Sequence, residues 1–170
     1  MIARTPAARA AASVILAGAL VLGTSGCTFL STQATLIHYD PSDGIGTSVG
    51  DVDVRNAIAL ISDDGEALSL LVTFVNGSDR TVNVTMQYES DGAKESTTKS
   101  VNPDGSSSYG NVVDEPQIII TKPGTQAGDL YPVYFQYGDH EGKELLVPVL
   151  DGSYEQYAAL VPAGADATTE

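Results

Sequence analysis

From Thr81 to Tyr88 polar and apolar residues alternate without a break: Val82, Val84, Met86 and Tyr88 against Thr81, Asn83, Thr85 and Gln87. Side chains two apart share a face only in a strand, so this stretch is a strand with one buried and one wet side. The buried side needs a second layer to cover it. Met86 falls on that side and reads as a core residue.

The neighbouring segments carry weaker versions of the same signal. Gln33 to Tyr39 reads as a first strand, and Asp40 to Gly46 as a loop of turn-forming residues. Val52 to Ile61 reads as a strand with Val52, Val54, Ile58 and Leu60 on one face. Ser62-Asp63-Asp64-Gly65 is a hairpin-type turn. Ala67 to Asn76 places Leu68, Leu70, Val72 and Phe74 on one face with Leu71 and Val75 opposite, the pattern of a central strand. Asn76 to Asp79 is another turn.

Glu89 to Gly110 is polar and reads as an exposed hairpin or long loop, with a weak strand at Thr97 to Val101. Three further strands are expected at Gln117 to Thr121, Leu130 to Tyr137 and Lys143 to Leu150. Pro132 and Pro148 lack the N–H that a ladder needs, which places them at strand starts or edges. The tyrosines Tyr131, Tyr134, Tyr137, Tyr154 and Tyr157 read as core fillers in a chain without tryptophan, and otherwise as a partner-binding surface. No segment beyond the N-terminal leader sustains a helical period. Seven or eight short strands separated by turns predict an all-β fold, an antiparallel immunoglobulin- or cupredoxin-like sandwich behind a signal peptide.

The leader is Arg4 to Cys27. Arg4 and Arg9 supply the positive start, and Ala10 to Leu22 is a thirteen-residue apolar run. That length suits a secretion signal, whereas a membrane span needs about 20 residues. Ser25-Gly26-Cys27 resembles a bacterial lipobox, with Thr24 where leucine is commonest. Cys27 is the only cysteine, so no intrachain disulfide can form. A diacylglyceryl group with palmitate-type chains on its thiol accounts for its position and its solitude. Two chains at about 0.8 kcal/mol per buried methylene make a stable anchor. Competing readings are a plainly cleaved leader followed by an incidental cysteine, and a persistent single-span anchor. The expected organisation is a signal peptide at 1–26, a lipidated cysteine and spacer at 27–32, a sandwich at 33–162 and a tail at 163–170. The expected location is the outer face of the cell membrane.

Loss of Arg4 and Arg9 with the leader leaves six basic against 22 acidic residues, a net charge of −16. Such a surface repels phosphate backbones, which excludes nucleic acid as a partner, and it does not dock on anionic lipid. The expected partners are the membrane, through Cys27, and an envelope protein of unspecified kind.

No enzyme is read from the residues. No Gly-x-Ser-x-Gly elbow is read around any serine, Cys27 is committed to lipid, and Asn102-Pro103-Asp104-Gly105 reads as a turn. No cofactor is called for. Metal candidates are His38 beside the first strand, His140 in Asp139-His140-Glu141, and Met86, a sparse set for copper or zinc. Asp63, Asp64, Asp139 and Glu141 could offer oxygens to calcium but lack the Asp-x-Asp-x-Asp-Gly spacing.

Val54-Arg55-Asn56-Ala57, followed by Leu70 to Phe74 and then Val75-Asn76-Gly77-Ser78-Asp79-Arg80, is similar to a family of actinobacterial lipoproteins that look like relatives of periplasmic copper chaperones. Val147-Pro148-Val149 and Tyr157 to Leu160 fit the same branch. The resemblance implies a sandwich outside the cytoplasmic membrane. The His-x-Met copper ligands of such chaperones have no counterpart after Arg80. The leading expectation is therefore a non-enzymatic binding or envelope-structural module, and the alternative is metal (copper) handling with degenerate ligands.

Overall fold

The computed structural model describes residues 6–8, 10–18 and 40–164, in two compact units divided after Tyr39. In the first unit, residues 6–8 and 10–18 are helical. No helix among the described residues is long and apolar enough to cross a membrane. Cys27, His38 and the strand expected at Gln33 to Tyr39 lie outside the described residues.

The second unit is a nine-stranded β structure. Its strands are β1 (Ile45–Val49), β2 (Val52–Ile61), β3 (Ala67–Asn76), β4 (Val82–Ser90), β5 (Ala93–Val101), β6 (Ser106–Tyr109), β7 (Ile119–Thr121), β8 (Leu130–Tyr137) and β9 (Lys143–Leu150). The order is β5-β4-β8-β9-β2-β3-β6, with β1 on β2 and β7 on β3. All pairings are antiparallel except β2 with β9, where Ala59 and Leu60 run parallel to Val149 and Leu150. That short parallel seam joins two layers. Their inner faces meet where Phe74 of β3 stands edge-on to Phe135 of β8, 6.1 Å between ring centres. The all-β sandwich expectation holds, with more strands than anticipated.

β4 and β8 alternate as read, with Val82, Val84, Met86, Tyr131, Val133 and Phe135 buried. β3 is central, and its Leu71 is buried on the opposite face from Leu70 and Val72. β2 departs from expectation. Asn56 adopts a left-handed backbone (φ 51), and the register with β3 shifts between Arg55 and Ile58. One extra residue in a strand reverses which face each later side chain occupies. Val52 and Val54 thus join Ala57, Ala59 and Ile61 between the layers. Ile58 and Leu60 turn outward instead, and pack with Leu71 and Leu160 in a second small core. The single-face assignment of Val52, Val54, Ile58 and Leu60 is corrected accordingly.

One loop expectation gives way, and the other resolves as its hairpin alternative. Residues 45–49 form β1, and the polar stretch after Glu89 is the β4–β5 hairpin followed by β6. The hairpin turns on Asp91-Gly92, both with positive φ (51 and 73), the signature of a type I′ turn. Asn102 to Gly105 is a turn as read, with Gly105 N–H donating to the Asn102 carbonyl. Pro132 and Pro148 sit where their strands have a ladder on one side only: β4 joins β8 from Tyr134 onward, and β2 joins β9 from Val149. The closing segment includes one helical turn, Glu155–Ala158, and delivers Leu160 and Tyr157 onto the outer core.

Candidate functional site

The motif Asn76 to Arg80 proves architectural. Asn76 is 1% exposed. Its amide Nδ2 donates to the carbonyls of Arg80 (2.7 Å), Asn102 (3.0 Å) and Val101 (3.3 Å). Its Oδ1 accepts from Ser78 N–H (2.9 Å) and Ser78 Oγ (2.7 Å). One side chain therefore ties the β3–β4 turn to the end of β5. Arg55 pairs with Asp53 at 2.7 Å on the surface, and Ser48 Oγ donates to the same carboxylate. The Arg55 contact and then the Ser48 bond hold the Asp53 carboxyl below its usual range.

His140 lies in the β8–β9 loop, its ring 4.6 Å from that of Tyr137 and seated on Gly50. A Cβ on Gly50 would come within 2.8 Å of the imidazole. Gly50 has positive φ (56) at the first position of the two-residue β1–β2 turn, as type II′ geometry asks. Tyr137 Oη donates to Asp51 Oδ2 in the same turn, 3.2 Å away. A shallow recess of about 360 Å³ opens beside the ring, lined by Arg80, Thr81, Val82, Asn83, Tyr137, Gly138 and Asp139 with His140. The seat made by Gly50, Asp51 and Tyr137 was missed from the sequence. Its signal was Gly-Asp between Val49 and Val52.

Two of the metal candidates, Met86 and His140, fall among the described residues, in different settings. Met86 is 0% exposed between the layers, its thioether closed off from any ion in solvent. His140 is exposed on a loop. Among the described residues no three His, Cys, Asp or Glu side chains are grouped to hold a metal, and that covers Asp63, Asp64, Asp139 and Glu141.

Gly46-Thr47-Ser48-Val49-Gly50 does spell Gly-x-Ser-x-Gly, which corrects the reading that no serine has that setting. A nucleophile elbow is a sharp turn from strand to helix with a histidine partner. Ser48 instead lies within β1, paired to Asp53 of β2, and its hydroxyl donates a hydrogen bond to that carboxylate. The resemblance stops at spelling.

Of the five tyrosines, Tyr131 and Tyr137 fill the core, whereas Tyr134 and Tyr154 are exposed. Tyr131 Oη donates to the Glu89 carbonyl, and burial pushes its phenol up to about 12. Tyr157 donates to Asp43 (2.8 Å); burial first, and then that carboxylate, raises it to about 12.

No family model matches the sequence, and no curated protein matches it. Solved structures do. The apo PmoF2 PCuAC domain superposes with a TM-score of 0.51 at 11% identity, over 64% of this chain and 97% of that one. The copper-bound PCuAC domain from PmoF2 gives 0.49 at 12% identity over 62% and 97%. The apo PCuAC domain from PmoF1 gives 0.46 at 11% over 61% and 97%. The fold is that of a PCuAC domain. At this identity the likeness speaks for architecture, and the PCuAC fold here carries Met86 in its core.

Proposed function

We propose that the chain is a non-enzymatic, ligand-handling domain of the PCuAC fold, held outside the cytoplasmic membrane by a lipid on Cys27. The observation that carries this reading is the superposition on the apo PmoF2 PCuAC domain, in a chain whose N-terminus spells an export signal ending in a lone cysteine. The test of the tether is fractionation of cells expressing the full chain or its Cys27→Ser variant, with a clickable fatty-acid label. Label and membrane association should both vanish in the variant. A variant that stays on the membrane overturns the tether.

For the cargo, the fold likeness supports copper over a purely envelope-structural role, which has no support of its own in the comparisons. The donor set stands against copper: any site would have to draw on His140 and His38, without a thioether. Copper(I) titration of the mature protein against a chromogenic chelator decides between them. One-to-one binding tighter than about 1 µM, weakened at least about tenfold in His140→Ala and His38→Ala, establishes copper handling. Absent binding removes copper and leaves a module for another ligand, whereas tight binding unchanged in both variants removes these histidines as the ligands.

A further inference from the structure

β5 ends the sheet, and no strand among the described residues pairs with its other side. It is nine residues long and meets β4 pair by pair from Ala93 to Val101, without a bulge. Proteins ordinarily blunt such an edge with proline, a bulge, charges or a short strand. β5 has only its charges, Lys94, Glu95 and Lys99. Two lysines against one glutamate make the strand net positive in a mature chain of −16. This edge therefore lacks the acidic surface that elsewhere keeps two copies apart.

The hairpin decides which backbone groups of β5 are open. Ser90 and Ala93 flank the two-residue turn at Asp91-Gly92 and so form a hydrogen-bonded pair. Counting on by twos, Glu95, Thr97 and Lys99 direct their N–H and C=O to β4. Lys94, Ser96, Thr98 and Ser100 aim theirs at the open side. The side chains agree with this phase. Thr85 and Thr98 share a hydroxyl–hydroxyl bond of 3.0 Å, and Ser100 donates to Asn83 at 2.6 Å, at pairs where the strands run closest. Glu95 and Lys99 stand on the opposite face of β5, with the Lys99 ammonium 5.0 Å from the centre of the Tyr109 ring.

We propose that β5 is a two-fold docking edge for a second copy of this chain, the sheet continuing through antiparallel β5–β5 pairing centred on Thr97. In that register Lys94 faces Ser100 of the second copy and Ser96 faces its Thr98. Every open N–H and C=O of these four residues then finds a partner. Glu95 faces Lys99 of the second copy, and Lys99 faces its Glu95, at the narrow positions where cross-strand side chains meet. The strand is complementary to itself in this register alone. Moving the centre one residue either way loses both ion pairs. Moving it two sets Glu95 against Glu95, or Lys99 against Lys99. An arbitrary extended peptide would satisfy the backbone only, so the charge pattern is what selects this chain as the occupant. The inference goes beyond the tether and copper readings and depends on neither.

The test is disulfide trapping in cells expressing the full chain. Facing Cα atoms at a non-hydrogen-bonded pair lie about 4.5 Å apart, within the span of a disulfide. Thr97→Cys should therefore give a covalent dimer on oxidation with diamide, read on a non-reducing gel. Lys94→Cys should not, because its two copies would lie about 20 Å apart along the strands. Each yield is read above that of the unsubstituted chain, which carries only Cys27. In the Thr97→Cys background, Glu95→Lys or Lys99→Glu should each cut the dimer about tenfold, and the two together should restore it. The double exchange also loses the Lys99 contact with Tyr109, so the recovery comes from the pairing between copies. Protease resistance confirms that each variant is folded. No Thr97→Cys dimer, equal trapping by Lys94→Cys, or single reversals without effect overturns the proposal. So does a double exchange without recovery, or a mixed species with another protein in place of the dimer. The copper and fractionation experiments can fail or succeed independently of this result.

Discussion

Removing the Asn76 amide should cost more than removing any exposed side chain, and the structure allows the amount to be worked out. Nδ2 carries two hydrogens, so its three carbonyl contacts amount to two good bonds, one of them shared. Oδ1 accepts two more. At about 1 kcal/mol net for each bond, Asn76→Ala forfeits about 4 kcal/mol. Water can reach the partly buried carbonyls of Arg80 and Asn102 and recover some of this, whereas the Val101 contact is buried. The expected loss is about 3 kcal/mol, or about 10 °C in Tm for a domain of this size. Asn76→Asp sharpens the test. Its carboxylate would face three carbonyl oxygens and could donate only when protonated, so its folded-state pKa must rise above the unfolded value of about 3.9. A group raised in this way penalises folding as pH climbs past the unfolded pKa. Asn76→Asp should therefore melt near Asn76→Ala at pH 3 and well below it at pH 7. Calorimetric scans at both pH values check this. A loss below about 1 kcal/mol for Asn76→Ala, or an Asn76→Asp penalty independent of pH, would refute the argument that this amide is a structural tie.

Three further outcomes follow from the geometry. Asn56→Val should destabilise by about 1–2 kcal/mol because a branched side chain resists positive φ, while Asn56→Gly should stay within a few tenths; urea titration separates them. Gly50→Ala should cost a similar amount, about 1–2 kcal/mol. In a double-mutant cycle, His140→Ala should recover the steric share but not the backbone share. Tyr157, at about 12, should ionise late in an ultraviolet pH titration. Asp43→Asn should lower it while leaving it above the ordinary range, because burial is the larger cause. Stability held by that raised phenol is complete below about pH 10 and declines as pH rises from there towards 12.

What could be read from the sequence divides along a physical line. β3, β4 and β8 announce themselves because burial between layers demands an apolar residue at every second position. β1 and β5 do not. Lys94 to Ser100 contains no large apolar residue, and this edge strand is held by its ladder with β4 rather than by a buried face. Its true local signal, Asp91-Gly92, marks the hairpin without any help from hydrophobicity. β2 was legible as a strand but not as a surface, because a single left-handed residue, Asn56, decides where Ile58 and Leu60 point. His140 lies in the β8–β9 loop. Its seat on Gly50 and Tyr137 joins residues far apart in the chain, and spacing alone cannot show such a meeting.

The same division explains what the family resemblance could transmit. The residues that carried it, Arg55-Asn56 and Asn76 to Arg80, turn out to make a bulge, a surface ion pair and a buried amide tie. Each answers to backbone geometry, which a sandwich must satisfy whatever it binds. They can therefore accompany a shared fold at 11% identity without identifying a ligand. Met86 makes the point from the other side: it has the chemistry of a copper ligand but stands on the inward face of β4, where packing fixes it. The residues that fix this architecture are therefore silent on its cargo.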